Sequence, residues 1–348
     1  MLLQKFSFLT CAQFRGKEVT IKKEKSSKRS IEPKISLKEG LMKKLLLVFL
    51  ALIFVATSAF SWNFATHAYI ADQIGKFVPK LNANEMYGIM APDMFNFDFS
   101  LWGDMKLYGY THGTDDKDKF MKVWDKARGG LAVAAAFGFV AHNDLWGADF
   151  TAHHFAQTIP VGKGYIIYLA EQLDFLLDQF GVWQKLADLI GAPVPAEDRM
   201  TFCHNVIEYA GDIIIKEADP QIGLKIITAC ASRSSNFPKV LEEALPGAYK
   251  VASAESKFRE QMSLYGGILT LDTSEAIDLI SQQLADLTIE FMKSKGVDLS
   301  PYAGLVKFLC KTAMLAGIQI CQGAGYMNEV QATIYFVQSQ LAAHGIIY

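Results

Sequence analysis

The chain has 348 residues and a formal net charge of −2, but that near-neutrality averages two unlike parts. Residues 1–61 carry 12 Lys and Arg against 4 Asp and Glu, and the remaining 287 carry 22 against 32, a net charge of −10. So acidic a body argues against a nucleic-acid binder held by general phosphate attraction, and its length suffices to bury a substantial core in one large domain or two small ones.

At the amino end, Met42-Lys43-Lys44 opens a short basic region followed by an apolar run, and Ala59-Phe60-Ser61 puts small residues at the two positions a signal peptidase reads. This pattern predicts cleavage between Ser61 and Trp62, leaving Trp62 as the first residue of an exported chain, periplasmic or secreted. A membrane anchor or a buried helix is the alternative. Residues 1–41 are rich in Lys, Ser and Glu and lack an apolar period, so Met42 reads as the true start, with a disordered leader as the other reading. The expected organisation is a leader and signal peptide over 1–61 and a helical domain over 62–348.

Beyond Trp62, apolar residues recur at helical spacing over 66–77, 116–127, 130–157, 163–190, 199–217, 221–232, 273–296, 299–320 and 326–344. With no repeat and no interdomain linker, this pattern predicts an all-α, single multi-helix domain. Asp198, ahead of the helix that carries His204, and Asp272-Thr273-Ser274 with Glu275 have the composition of amino-terminal caps. Breaks are expected at Gly191-Ala192-Pro193-Val194-Pro195, Asp219-Pro220, Asn236-Phe237-Pro238 and Leu299-Ser300-Pro301. Cys203, Cys230, Cys310 and Cys321 suffice for two disulfides, but Cys310 and Cys321 sit about 16 Å apart on one helical pattern and cannot bond to each other if it is continuous. No CxxC pair occurs, which argues against a thiolate zinc site. Lys307 and Lys311 interrupt the apolar run 303–321, which reads as a buried helix rather than a membrane span.

Six of the seven histidines fall between His67 and His204, interleaved with carboxylates in the order His67, Asp93, His112, His142, Asp149, His153, His204, Glu208. If 130–157 is one helix, Asp149 and His153 lie about 20° to either side of His142 and share its face, while His154 points about 120° away. The residues before them, Leu131 to Val140, are apolar, so this face begins in the core, where clustered His and Asp need partners and a metal satisfies them all. His204 and Glu208 stand one turn apart on a second helix, a spacing that lets both reach one ion; alone, HxxxE is more often an exposed pair.

Trp62 at the expected mature terminus, His67 soon after, an Asp, an isolated His, a His/Asp/His helix and then HxxxE together resemble the zinc-dependent phospholipase C family. The same order resembles the related fungal-type zinc nucleases of single strands. The resemblance covers residues 62–215 and leaves 216–348 as a helical extension. It implies three zinc ions. Asp93, His112, His142 and Asp149 would hold one; the Trp62 terminal amine and carbonyl, His67 and a bridging Asp149 a second; His153, His204 and Glu208 the third. Most relatives read HxxxD followed by five residues and His, whereas here six residues separate His142 from Asp149 and three separate Asp149 from His153. Asp144 therefore stands as the alternative bridge.

The chemistry that this resemblance implies is phosphate-ester hydrolysis, with a zinc pair lowering the pKa of a shared water towards about 7 and Asp93 serving as ligand, as the base that orients the water, or both. Between Asp93 and His112 run six aromatics, Phe95, Phe97, Phe99, Trp102, Tyr108 and Tyr110, suited to a lipid surface or head group, to stacked bases, or to covering the core beneath a loop. Acidity and the carboxylate type of Glu208 favour a phospholipase acting on phospholipid or another phosphodiester, with peripheral membrane contact and no stable nucleic-acid partner. The alternatives are a zinc-dependent single-strand nuclease and a non-catalytic exported protein that binds zinc or lipid. Open positions at the second and third implied sites favour an enzyme.

Overall fold

The stretch from Gly130 to His142 contains no polar side chain before its last residue, and a helix apolar on all sides belongs inside a core. In a computed structural model of the chain, which describes residues 62–97, 104–113, 119–247, 249–294 and 296–348, this stretch is a helix buried from Ala134 to His142. The described residues form fifteen α-helices and two short 3-10 segments, with no strand among them, so the fold is all-α. The leader and signal peptide expected over 1–61 lie outside the described residues.

In chain order the helices are α1 (Phe64–Ile74), α2 (Pro79–Met90), α3 (Met105–Thr111), α4 (Met121–Lys126) and α5 (Gly130–His142). Then come α6 (Ala148–His153), α7 (Tyr165–Gln179), α8 (Val182–Ile190), α9 (Ala196–Ala218) and α10 (Ile222–Ser232). The last five are α11 (Phe237–Ala244), α12 (Val251–Thr270), α13 (Thr273–Ser294), α14 (Ala303–Gly323) and α15 (Tyr326–Ala343).

Two contacts set the frame of the site. Helices α2 and α5 cross backbone to backbone, because a Cβ on Gly88 would sit 1.9 Å from the Ala135 carbonyl oxygen and one on Gly138 would sit 2.0 Å from that of Glu85. Only glycine allows so close an approach. The long helix α9 runs through the core, buried almost without interruption from Cys203 to Lys216, and packs against α1, α7, α13 and α14.

Several expected elements differ. The helix expected over 130–157 is broken after His142, where the Asn143 side chain accepts hydrogen bonds from the Leu145 and Trp146 N–H groups at 2.9 Å and replaces the helical ladder with a turn. The helix expected over 163–190 divides into α7 and α8 at Gly181, whose φ of +65° lies in the left-handed region. Helix α9 begins at Ala196, so Asp198 lies inside its first turn rather than at the cap, where its charge still complements the helix dipole. Asp272 does cap α13, accepting from the Glu275 N–H at 2.9 Å. Asn236-Phe237-Pro238, expected as a loop, opens α11, with the proline in the first turn where no N–H is needed. Helices α2, α3 and α12 add to the expected set.

Among the described residues, Cys203, Cys230, Cys310 and Cys321 are all buried and free. Helix α14 and the turn before it are long and apolar enough to cross a membrane, but one face of the helix, including Val306, Cys310, Met314 and Cys321, is buried where α14 packs on α9 and α13.

Candidate metal centre

The first turn of a helix leaves backbone N–H groups without partners, and α1 gives two of them to a carboxylate on another helix. Ala65 N and Thr66 N donate to Asp212 of α9 at 2.9 and 2.8 Å, and the Thr66 and Tyr265 hydroxyls add bonds of 2.8 and 2.7 Å. This tether fixes the start of α1, and with it His67, against α9. Trp62 is buried just before it, its indole donating to the Ala148 carbonyl at 2.9 Å and to the Thr151 hydroxyl at 3.1 Å, with its ring stacked on Tyr165. Ala148 is the neighbour of Asp149.

Asp93 lies in the 3-10 segment Ala91–Phe97 that continues α2, and the Asn96 amide donates to its Oδ1 at 3.0 Å. His112 follows α3, its Nδ1 2.7 Å from the Thr111 hydroxyl and its ring stacked on Tyr108 at 4.2 Å. The Asp144 N–H donates to the His112 carbonyl at 2.8 Å, which ties that segment to the turn after α5. His142 ends α5, and its Nδ1 donates to the Ile89 carbonyl of α2 at 2.8 Å. That bond fixes the ring orientation and turns Nε2 toward Asp149. Burial opposes a charge on the imidazole, but Asp149, with Asp93, outweighs it and raises the group to about 9, so that a bound cation would replace a proton there.

These side chains converge. His142 Nε2 lies 2.9 Å from Asp149 Oδ2, His67 Nε2 lies 3.2 Å from Asp149 Oδ1, and His112 Nε2 lies 3.3 Å from Asp93 Oδ1. The His67 and His142 rings stack with centroids 4.3 Å apart. Three sets of potential ligand atoms lie within 4.8 Å of one another: His67, Asp93 and His142; His112, His142 and Asp149; His153, His204 and Glu208. All eight of the His, Asp and Glu residues singled out in the sequence fall in these sets, while Trp62 contributes no side-chain ligand. The break after His142 means that His142, Asp149 and His153 do not share one helix face. Asp149 meets His142 across the turn, and His153 groups with α9.

Asp144 occupies a different place from Asp149. Its Oδ1 accepts from His153 Nδ1 at 3.0 Å, and its Oδ2 accepts from the Tyr108 hydroxyl at 3.2 Å and lies 3.0 Å from His154 Nε2. It therefore orients His153 from behind, leaving Nε2 for a ligand role. His154 is half-exposed.

The electrostatics suit a cation. Burial and the neighbouring His142 lower His67, and burial and His153 lower His204 to about 3, so both are neutral imidazoles, the form a metal requires. Burial opposes the ionisation of Asp149, but the adjacent His142 and His67 hold it well below the usual carboxylate range. Burial, with Asp93, Asp149 and Asp212 nearby, pushes Glu208 well above that range. His142 Nε2, both Asp149 oxygens and Glu208 Oε1 are buried without a hydrogen bond despite their close approaches. Orphaned acceptors of this kind, gathered around shared points, fit a bound metal ion. Nitrogen and oxygen donors without thiolate are compatible with zinc.

Of the aromatics between Asp93 and His112, Phe97 packs against Phe64 and Phe258 and Phe95 against Tyr249, as core cover, while Tyr108 belongs to the site. Phe99 and Trp102 lie outside the described residues. The sequence reading missed the supporting groups Asn96, Ile89 and Asp212. Only Asp212 carried a signal, four residues beyond Glu208 on the same helical face.

Fold and site together define an all-α protein with buried His and carboxylate groups able to hold metal ions. No family model, curated protein or solved structure matches the chain.

Proposed function

We propose that this protein is a zinc-dependent phosphodiester hydrolase of the phospholipase C type, exported and active as a chain that begins at Trp62. One observation carries the reading: eight His and carboxylate side chains, brought from six elements, form three neighbouring ligand sets in the core. His67, Asp93, His112, His142 and Asp149 would hold a pair of zinc ions, with Asp149 between His67 and His142, and His153, His204 and Glu208 a third. When bound, the pair supplies a water acidified towards a pKa of about 7 and positive charge for the phosphoryl oxygens.

The remaining work falls to the chain itself. Asp93, braced by Asn96, orients the attacking water and accepts its proton. Asp144 and the Ile89 carbonyl hold His153 and His142 in one ring orientation, which keeps their ligand atoms in place through turnover. The apolar walls around the site keep out bulk water, so each charge acts through a low dielectric.

Side-by-side assays of the zinc-loaded chain on phosphatidylcholine vesicles and on single-stranded DNA test the reading. Release of phosphocholine is expected. Cleavage of the DNA alone would make the protein a nuclease, and inactivity on both would leave a zinc-binding protein without hydrolase function.

A further inference from the structure

Beside Glu208 the protein contains a cavity of about 580 Å³, walled by α8, α9, α12, α13 and α14. That volume lies in the range of about 300–1,000 Å³ found for small-molecule sites. It adjoins the metal centre through two lining residues, Glu208, a member of one ligand set, and Asn96, which braces Asp93. Glu208 Oε1 and Asn205 Oδ1 are buried there without a hydrogen-bond partner. Most of its wall is apolar, with Leu186, Phe202, Leu284, Leu287, Phe291 and Leu309 among the lining residues.

We infer that this cavity is the site for the aliphatic tail of a lipid phosphate ester, held with its phosphate at the Glu208 end. The head-group half of the inference rests on the hydrolase reading above, while the tail site stands on the cavity alone. A polynucleotide does not suit the same space. The ionisable side chains that line it are Asp198, Glu208, Glu260 and Asp286 against Lys257 alone, a balance that offers no cationic track for a phosphate backbone. An uncharged chain of methylenes gains from every apolar wall and needs no counter-charge. The walls from α12, α13 and α14 also give the extension beyond residue 215 a role that the metal centre does not require.

The test uses 11-(dansylamino)undecanoic acid as a fluorescent probe of the purified chain, with octanoate to palmitate as competitors. Saturable binding of one probe per chain is expected, with competitor affinity rising by up to about fourfold for each added methylene that is buried. Leu309→Trp and Leu186→Trp, each placing an indole in the cavity, should weaken the probe at least about tenfold while circular dichroism and zinc content stay unchanged. Absence of saturable binding by the folded protein, a flat length series, or equal binding by both filled variants would overturn the inference. Tail binding without hydrolysis of any phosphodiester would uphold the cavity assignment and sink the hydrolase reading. Hydrolysis of short soluble phosphodiesters without tail binding would do the reverse.

Discussion

Asp149 Oδ2 lies 2.9 Å from His142 Nε2 across a helix break, and the other Asp149 oxygen lies 3.2 Å from His67 Nε2. A carboxylate so placed serves both rings at once and is suited to bridge two cations. Asp149→Asn is therefore expected to lose both ions of the pair and to reduce hydrolysis by at least about a thousandfold. Asp144→Asn, which only loosens His153, is expected to cost about 10–100-fold in metal affinity or activity. Zinc content and kcat/KM of the two variants check the ordering; a larger loss at Asp144 would make that residue the bridge.

Trp62 is buried beside Asp149, held by its indole to Ala148 and Thr151. If its terminal amine is a ligand, one extra residue ahead of it converts that amine to an amide and moves the new terminus away. A chain beginning at Ser61 is expected to bind less zinc and to hydrolyse more slowly than one beginning at Trp62. Equal zinc content and activity in the two forms would remove the amine from the ligand set.

How much of this was legible in the sequence depends on what kind of signal each residue carried. The all-α fold followed from apolar spacing, and the ligand types could be picked out because His, Asp and Glu are the residues that bind zinc. The break after His142 was hidden because apolar periodicity does not register an asparagine that bonds forward along its own backbone, although Asn143 and Gly147 were its markers. Helix α2 was obscured by Asn84 and Glu85, polar residues that are buried and so blur its apolar face. The groups that orient the ligands, the Ile89 carbonyl above all, have no sequence signature, since any residue supplies a backbone oxygen.

Glu85 offers a pH-dependent check on the α2 region away from the ligands. Burial raises its carboxyl from an ordinary 4.5 to about 7, despite the bonds it accepts from the Lys76 N–H and the Asn82 amide. The folded state therefore holds this proton more tightly than the unfolded chain. Stability from this group is full below pH 4.5, falls as pH rises toward about 7 and is level above it. Urea unfolding at pH 5 and pH 8 should show wild type losing more stability between the two than Glu85→Gln. Equal losses would mean that Glu85 does not titrate in this window.

His67, Asp93, His112, His142, Asp149, His153, His204 and Glu208 together offer the ligand atoms for a set of metal ions. Metal analysis by mass spectrometry of the purified chain beginning at Trp62 counts the ions they hold. Close to three zinc per chain is expected, matching the three ligand sets. One zinc or none would contradict a trinuclear centre and leave the buried imidazoles and carboxylates as a structural network.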